Sequence, residues 1–438
     1  MKFLGNRRII MNKIIGCLLL SALTTMSAFA QSGTTSPYSQ YGLGDLADEC
    51  VGFNKGMGGV GYSFHKGNEV NPLNPASYAS IDSVTMIFDG GLSGQITNFK
   101  EGGRKLNAKS GGFDYITGAF RLIRHVGITF GVMPYSNIGY NYTASIPLDD
   151  GTATTKLTGT YKGDGGINQL FVGAGVQLFK SLSVGFNAAY IWGDLERTVK
   201  TSGSSYVNSL QKEYNASISN YKLDFGIQYI QPVSAKDELT LGAVFSPGHK
   251  LNSDPYCRIV SSNSSISKAD TTTYTITNGL EIPTSIGFGV AYNHDKKLRV
   301  GADFKYQNWG SIDFPELENN SYSLRSGLLK DSYKVNMGAE WIPNPRSTRS
   351  FFHHVRYRVG ASFVTPYYYI NGQDGPKELQ LSLGLGVPIM NGYNNRSILN
   401  ISAQWQHRSA DNLITENTFR LNIGLTFNER WFSKMKIE

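Results

Sequence analysis

The chain has 438 residues, with 49 glycines, 12% aromatic residues and only 17% charged ones, a profile unlike the Ala-, Glu-, Lys- and Leu-rich make-up of a helical protein of this size. Its net charge of +8 is spread along the chain with no Lys/Arg cluster, so nucleic acid is not expected as a partner. Length allows one large all-β unit or two ordinary domains, and the composition favours the first.

Residues 1–30 read as a secretory signal peptide. Lys2, Arg7, Arg8 and Lys13 precede the apolar run "IIGCLLLSAL", and "SAFAQ" offers a small-x-small cleavage site after Ala30. Met11 begins a complete signal by itself, so Met1 and Met11 both stand as candidate starts. Cys17 lies ahead of the apolar stretch rather than behind it, which argues against lipidation. Cys50 and Cys257 remain, and their spacing does not decide whether they pair. No later apolar segment approaches the roughly 18 residues of a membrane helix, which leaves soluble export or a β-barrel.

Residues 31–82 contain few alternating runs. "GMGGVG" (56–61) formally matches the G-x-G-x-x-G dinucleotide pattern, but no βαβ unit surrounds it and no acidic residue follows at the right distance. Gly56, Gly58 and Gly59 are better explained by close backbone approach in a crowded interior. In "NPLNPASYA", Pro72 and Pro75 cannot donate to a strand ladder and push Asn71 and Asn74 toward extended geometry, while the Asn side chains cap turns. With Ala76 these residues form a compact turn or short helical cap. It is either a solvent loop or a fixed element of a plug.

From about Ser83 to Phe427 the period is two. In "SILNISAQWQ", Leu399, Ile401, Ala403 and Trp405 fall opposite Asn400, Ser402, Gln404 and Gln406, and "TFRLNIGLTF", "YKLDFGIQY", "LRVGADFKY", "YKVNMGAEW" and "VRYRVGASF" repeat the pattern. A soluble sandwich also alternates. Here, however, the polar face includes mid-strand Lys222, Asp224, Arg299, Asp303, Lys305, Glu340 and Arg358, and the other face is nearly unbroken aliphatic and aromatic, as in a wall with lipid outside and a polar lumen inside. The segments run about ten to fifteen residues, longer than soluble strands. Trp192, Trp309, Trp341, "PYYYI" from Pro366 and Trp431 sit toward segment ends, where interfacial girdles form.

Tight breaks fall at 124–125, 180–181, 231–238, 294–297, 343–354 and 390–395, with longer polar loops near 100–110, 148–167, 201–215, 258–282, 309–329, 367–376 and 408–415. Seven outer loops alternating with six periplasmic turns give about 14 strands; "TKLTGTYKG" within 148–167 could be strand extension or an extra pair, which leaves 16 open. The expected organisation is a signal peptide at 1–30, a luminal hatch at 31–82, a transmembrane antiparallel β-barrel at 83–427 and a periplasmic tail at 428–438. Such a barrel is wide enough to need a plug.

No catalytic group stands out. There is no G-x-S-x-G elbow, and His353–His354 lies in a turn without a Cys/His/Asp cluster, so neither an enzyme, a cofactor nor a metal site is expected.

"KGMGGVGYSFHKGNEVNPLNPASYASID", followed by an alternating strand, resembles the N-terminal hatch of the FadL/TodX (OMPP1) outer-membrane transport family. The matching positions are Asn74, Pro75 and Ala76, with Gly56, Gly58 and Gly59 upstream. The ends "SPYSQYGLGDL" and "GLTFNERWFSKMKIE" look like the Bacteroidota branch, which also contains the barrel subunit of the type IX secretion system. The resemblance implies a 14-stranded, hatch-plugged barrel in the Gram-negative outer membrane. It implies passive uptake of long-chain fatty acids or other hydrophobic compounds, often through a lateral wall opening. The chain departs from the pattern of most bacterial barrels by continuing about eleven residues beyond Phe427. Expected partners are outer-membrane lipid and a hydrophobic ligand. The alternative is a non-transport barrel that docks subunits of a secretion or outer-membrane assembly complex; an open porin is disfavoured by the plug.

Overall fold

Alternating side chains need two different solvents, and the fold supplies them. The computed structural model describes residues 33–147, 156–202, 209–263, 268–345, 351–389 and 397–430. Fourteen antiparallel strands close into a barrel: β1 Thr85–Glu101, β2 Arg104–Ile123, β3 Val126–Pro147, β4 Lys156–Phe179, β5 Leu182–Ser202, β6 Ser209–Pro232, β7 Asp237–Ser246, β8 Ser285–His294, β9 Leu298–Gln307, β10 Ser332–Trp341, β11 Arg356–Val364, β12 Lys377–Pro388, β13 Ile398–Ser409 and β14 Thr415–Arg430. Each pairs with its sequence neighbour, and β14 closes on β1 from Thr85↔Arg430 to Lys100↔Thr415.

The question of 14 or 16 strands is settled by β4. "TKLTGTYKG" from Lys156 onward is a continuous extension of that strand, paired with β3 from Pro147↔Lys156 upward. The last strand runs to Arg430, three residues past the expected end. The signal segment with Cys17 and both candidate starts, Trp431 and the tail beyond 430 lie outside the described residues.

On β12, Leu379, Leu381, Leu383 and Leu385 point outward and Leu383 is 65% exposed, whereas Gln380 and Ser382 point inward and are buried. An exposed leucine row is stable only against hydrocarbon, so this is an outer-membrane-type wall.

Strand lengths are unequal. β7 to β11 have 9 or 10 residues, close to what a tilted membrane crossing needs, but β3 to β6 have 21 to 24. The surplus projects at the end with the longer loops. There the hairpin Tyr256–Asn263 and Lys268–Thr275 adds to β6 through Tyr256↔Asn215 to Ser262↔Ser209.

Residues 33–82 fill the lumen with almost no regular structure, only a 3-10 turn Pro37–Gln40, a two-residue strand Asp45–Leu46, a helical turn Gly52–Lys55 and a 3-10 turn Pro75–Ser80. Three buried apolar clusters result. Val70, Tyr78, Ile81, Ile87 and Ala119 join the hatch to β1 and β2. Val51, Phe53, Met57, Val60 and Phe64 meet the wall at mid-height. The third cluster closes the long-loop end, where Trp309, Ile312, Leu329, Tyr367 and Tyr368 pack on Tyr38 and Leu43.

That third cluster corrects the girdle assignment. Trp192 and Trp341 do stand on outer strand faces, with Trp192 stacked on exposed Tyr190. Trp309 is fully buried and Tyr367 and Tyr368 nearly so, because loops folding over a lumen bury aromatics that a strand-end position would otherwise hand to the interface. Cys50 and Cys257 are buried and unpaired.

Candidate functional site

The Asn-Pro motif is a cap seated in the wall. Asn74 is the N-cap of the Pro75–Ser80 turn: its Oδ1 accepts from the Ala76 amide at 3.0 Å, and its Nδ2 donates to the carbonyls of Tyr62 (2.7 Å) and Ile227 on β6 (3.1 Å). Asn71 Nδ2 donates to the carbonyls of Gly61 (2.6 Å) and Phe64 (2.8 Å), so it staples the preceding loop. The Pro72 carbonyl accepts from Asn187 on β5 at 3.2 Å, and Tyr78 donates to the same Asn187 at 3.0 Å. A proline segment has few amides of its own, and these side chains satisfy the carbonyls it leaves buried.

Wall glycines make the seat. A Cβ at Gly226 would lie 2.1 Å from Asn74 Oδ1, one at Gly185 2.4 Å from the Pro75 carbonyl carbon, and one at Gly360 2.1 Å from the Met57 carbonyl carbon. Glycine weakens a strand, yet here it lets hatch backbone lie against strand backbone. The hatch glycines answer from the other side. Gly58 has φ +66° and faces the Ala361 backbone, its amide donating to Ser382 Oγ at 2.8 Å; Gly59 has φ +82°, and its carbonyl accepts from Asn336 at 3.1 Å; Gly56 abuts Gly384. Thus Gly56, Gly58 and Gly59 face β10 to β12, Pro72, Asn74, Pro75 and Ala76 face β4 to β6, Asn71 binds within the hatch, and Ala76 is fully buried.

Toward the short-turn end, Glu69 meets Arg356 and Arg358, and Glu340 meets Lys66 at 2.8 Å, Arg299 at 2.9 Å and Arg358 at 2.8 Å. Glu69 and Glu340 are almost wholly buried. Removing one member of such a set strands the others without water, so the cluster fixes the hatch to β9, β10 and β11.

The wall itself is incomplete at one place. β2 and β3 pair only from Ile116↔Val132 to Ile123↔Val126, so 104–115 of β2 and 133–147 of β3 do not meet. Two irregularities sit at the parting. A bulge beside Gly91/Leu92 turns both Asp114 and Tyr115 toward the lumen, and β3 shifts register between Pro134 and Ser136, where proline has no N–H to give. The hatch occupies part of the vacated edge, Asp45 and Leu46 pairing with Asn137 and Ser136. It also grips the bulge: Lys55 pairs with Asp114 at 2.5 Å, and the Gly52 amide donates to Tyr115 Oη at 2.7 Å.

A cavity of about 1750 Å³ lies at this break. It is lined by luminal side chains such as Asp48, Lys222 and Lys334, and equally by Leu92, Ile116 and Leu425, which project toward lipid. Its lining mixes apolar surface with charged groups, several of them held in pairs. Lys222 bridges Glu49 (2.8 Å) and Asp224 (2.9 Å), Arg408 bridges Asp45 (3.0 Å) and Glu378 (2.8 Å), and Lys334 meets Asp48. Burial pushes the Asp48 and Glu49 carboxyls up, but Lys334 and Lys222 outweigh it and hold both at about 2.

The sequence singles out the Asn-Pro and glycine segments but does not announce the parting of β2 and β3. Two signals for it were present, Pro134 inside an otherwise strand-like run and the "GGFD" stretch at 111–114, and both mark a bulge more readily than a central strand.

Comparison with solved structures places the fold. The chain matches the Pseudomonas putida toluene transporter TodX with a TM-score of 0.62 at 13% identity, covering 89% of this chain and 100% of that one. The Ralstonia pickettii toluene transporter TbuX matches at 0.59 and 14%, covering 88% and 99%. A Pseudomonas aeruginosa FadL homologue matches at 0.57 and 10%, covering 87% and 99%. No curated protein sequence matches. At these identities the likeness is one of fold, a FadL-like hatch-plugged β-barrel. One family model spans nearly the whole chain, residues 10–438, and by that match the protein belongs to the BamG family.

Proposed function

We propose that this protein is a multi-pass channel of the Gram-negative outer membrane for passive uptake of long-chain or otherwise hydrophobic compounds, with ligand passing between a luminal chamber and the bilayer. The carrying observation is the cavity that continues from luminal residues to lipid-facing Leu92 and Ile116 past the parted ends of β2 and β3. A plugged lumen admits no bulk solute, and a side opening gives an apolar ligand a path that avoids water. The structural neighbours described as toluene transporters support this by fold alone. In this reading the short turns are periplasmic, the long loops extracellular, and the hatch motif holds the plug in register with the gap. The test is transport together with content. Purified protein should carry acyl-chain compounds detectable by mass spectrometry, and a deletion strain should take up labelled oleate more slowly; an empty lumen with unchanged uptake would overturn the proposal.

One feature favours a second reading, a subunit that docks partners in an outer-membrane assembly or secretion complex. β3 to β6 extend far past the membrane, and among the described residues Lys268–Thr275 has a ladder partner on one side only, an edge that a partner strand could extend. A stoichiometric partner retained in mild detergent would support it.

A further inference from the structure

The chamber is shut at both ends. At the extracellular end, loop residues converge on the N-terminal segment: Trp309 packs on Tyr367 with ring centroids 4.6 Å apart, and Tyr368 stacks on Tyr41 at 5.2 Å. Tyr38 donates to the Ile414 carbonyl, and Arg197 to the Gly42 carbonyl. The cavity reaches the underside of this cap at Tyr367, Tyr368 and Ile282, and beside the parting its lining continues to the exposed Asp164 and Asp194 on β4 and β5. Below, the glycine seat and the ion cluster close it. The parting of β2 and β3 is the remaining side. Its last rung, Ile116↔Val132, continues in register through Leu170 to Tyr190, the exposed aromatic that stacks on Trp192. The same rung meets Gly90 on β1, between the exposed Phe88 and Leu92, so in a wall of tilted strands the opening begins within the apolar band.

Two properties of the chamber restrict what it can hold. Its volume of about 1750 Å³ exceeds the roughly 300–1,000 Å³ of sites for drug-sized ligands. Its lining also carries cations with capacity to spare: among the described residues Lys305 and Arg420 hold no ion pair, and the hydrogen bond that Arg420 makes is to Gln95, at 2.7 Å. A pure hydrocarbon would leave those groups desolvated and unmatched, whereas a charged headgroup answers them. Resting on the uptake reading above, we propose that the chamber is loaded sideways from the outer leaflet with a membrane lipid bearing more than one acyl chain and a charged headgroup, and not from the external medium.

The test compares two reagents on one luminal thiol. The full-length Gln406→Cys chain, whose new side chain lines the chamber, is reconstituted in phosphatidylethanolamine vesicles. It is treated either with a maleimide carried on a phosphatidylethanolamine headgroup or with a membrane-impermeant, water-soluble maleimide dye; the unsubstituted chain, with Cys50 and Cys257 buried, sets the background. Labelling is expected from the lipid-borne reagent alone and should be lost in Gly112→Trp, which fills the gap. If that variant does not give the heat-shifted gel band of a folded barrel, Asn137→Trp takes its place. Labelling by the water-soluble dye, alone or with the other, overturns outer-leaflet loading but leaves the uptake reading standing. Labelling by neither overturns both, and lipid-borne labelling that persists in the folded gap variant overturns the side route.

Discussion

At the scale of single residues, Asn74 does more than any other member of the motif, because one amide group caps a turn, ties it to the preceding loop and ties both to β6. Asn74→Ala leaves the Tyr62 and Ile227 carbonyls without that donor in a buried site, and the expected loss is about 1–3 kcal/mol. The seat predicts a sharper contrast between two glycines. Gly226→Ala drives a methyl to 2.1 Å from Asn74 Oδ1, while Gly94→Ala, on the lipid side, meets nothing within 4 Å. The first should lower stability by about 1–3 kcal/mol and the second by no more than about 0.5 kcal/mol. Heat-modifiability midpoints on gels would measure both, and equal midpoints would show that the seat is not tight.

At the scale of elements, the hatch is held by charge as well as by shape. Asp48 and Glu49 are held at about 2, below the ordinary carboxylate range near 4, by Lys334 and Lys222. Since their folded values are depressed, the stabilisation they give is fully present above the ordinary range and is lost as pH falls from there through about 2. Hydrogen exchange of hatch amides, corrected for intrinsic rate, should therefore be slow at pH 7 and faster at pH 3. In Lys334→Met, burial would act on Asp48 without its main opposing charge, so loosening should begin at higher pH. An unmoved profile would mean that the ion pair does not hold the hatch.

The same elements show why some of this was legible in the sequence and some was not. Strand faces are local: Leu399, Ile401 and Ala403 alternate with Asn400, Ser402 and Gln404 whatever surrounds them, so a hatch-plugged barrel of about 14 strands could be read directly, with 16 left open. Glycine and proline also speak locally, which is why Gly56, Gly58 and Asn74 stood out. Trp309 and Tyr367 misled because a tryptophan near a strand end looks the same whether a loop later folds it inward or the membrane receives it. The gap was hidden for a deeper reason. Whether β2 meets β3 along the parted segments depends on pairing between residues roughly 20 to 40 apart, and the alternation of each strand is unchanged when its neighbour is missing.

At the scale of the whole molecule, the barrel is two structures on one sheet. A ring of membrane length runs all the way round, and above it β1 to β6 and the 256–275 hairpin continue while β7 to β11 do not. Among the described residues the hairpin's ladder partner on the barrel is the Ser209–Asn215 part of β6, whereas β6 pairs with β7 from Phe225 to Pro232, well below it. The two proposed activities are therefore separable. Replacing residues 256–275 with a short Gly-Ser linker should leave the ring closed, the heat-shifted gel band intact and oleate uptake near the level of the unaltered chain, because the gap lies between β2 and β3, away from this edge. If the protein also docks a partner through the open Lys268–Thr275 edge, that partner should vanish from mild-detergent pull-downs of the shortened chain. Loss of uptake with the partner retained would reverse the assignment, making the hairpin part of the transport path and placing the docking surface elsewhere on the wall.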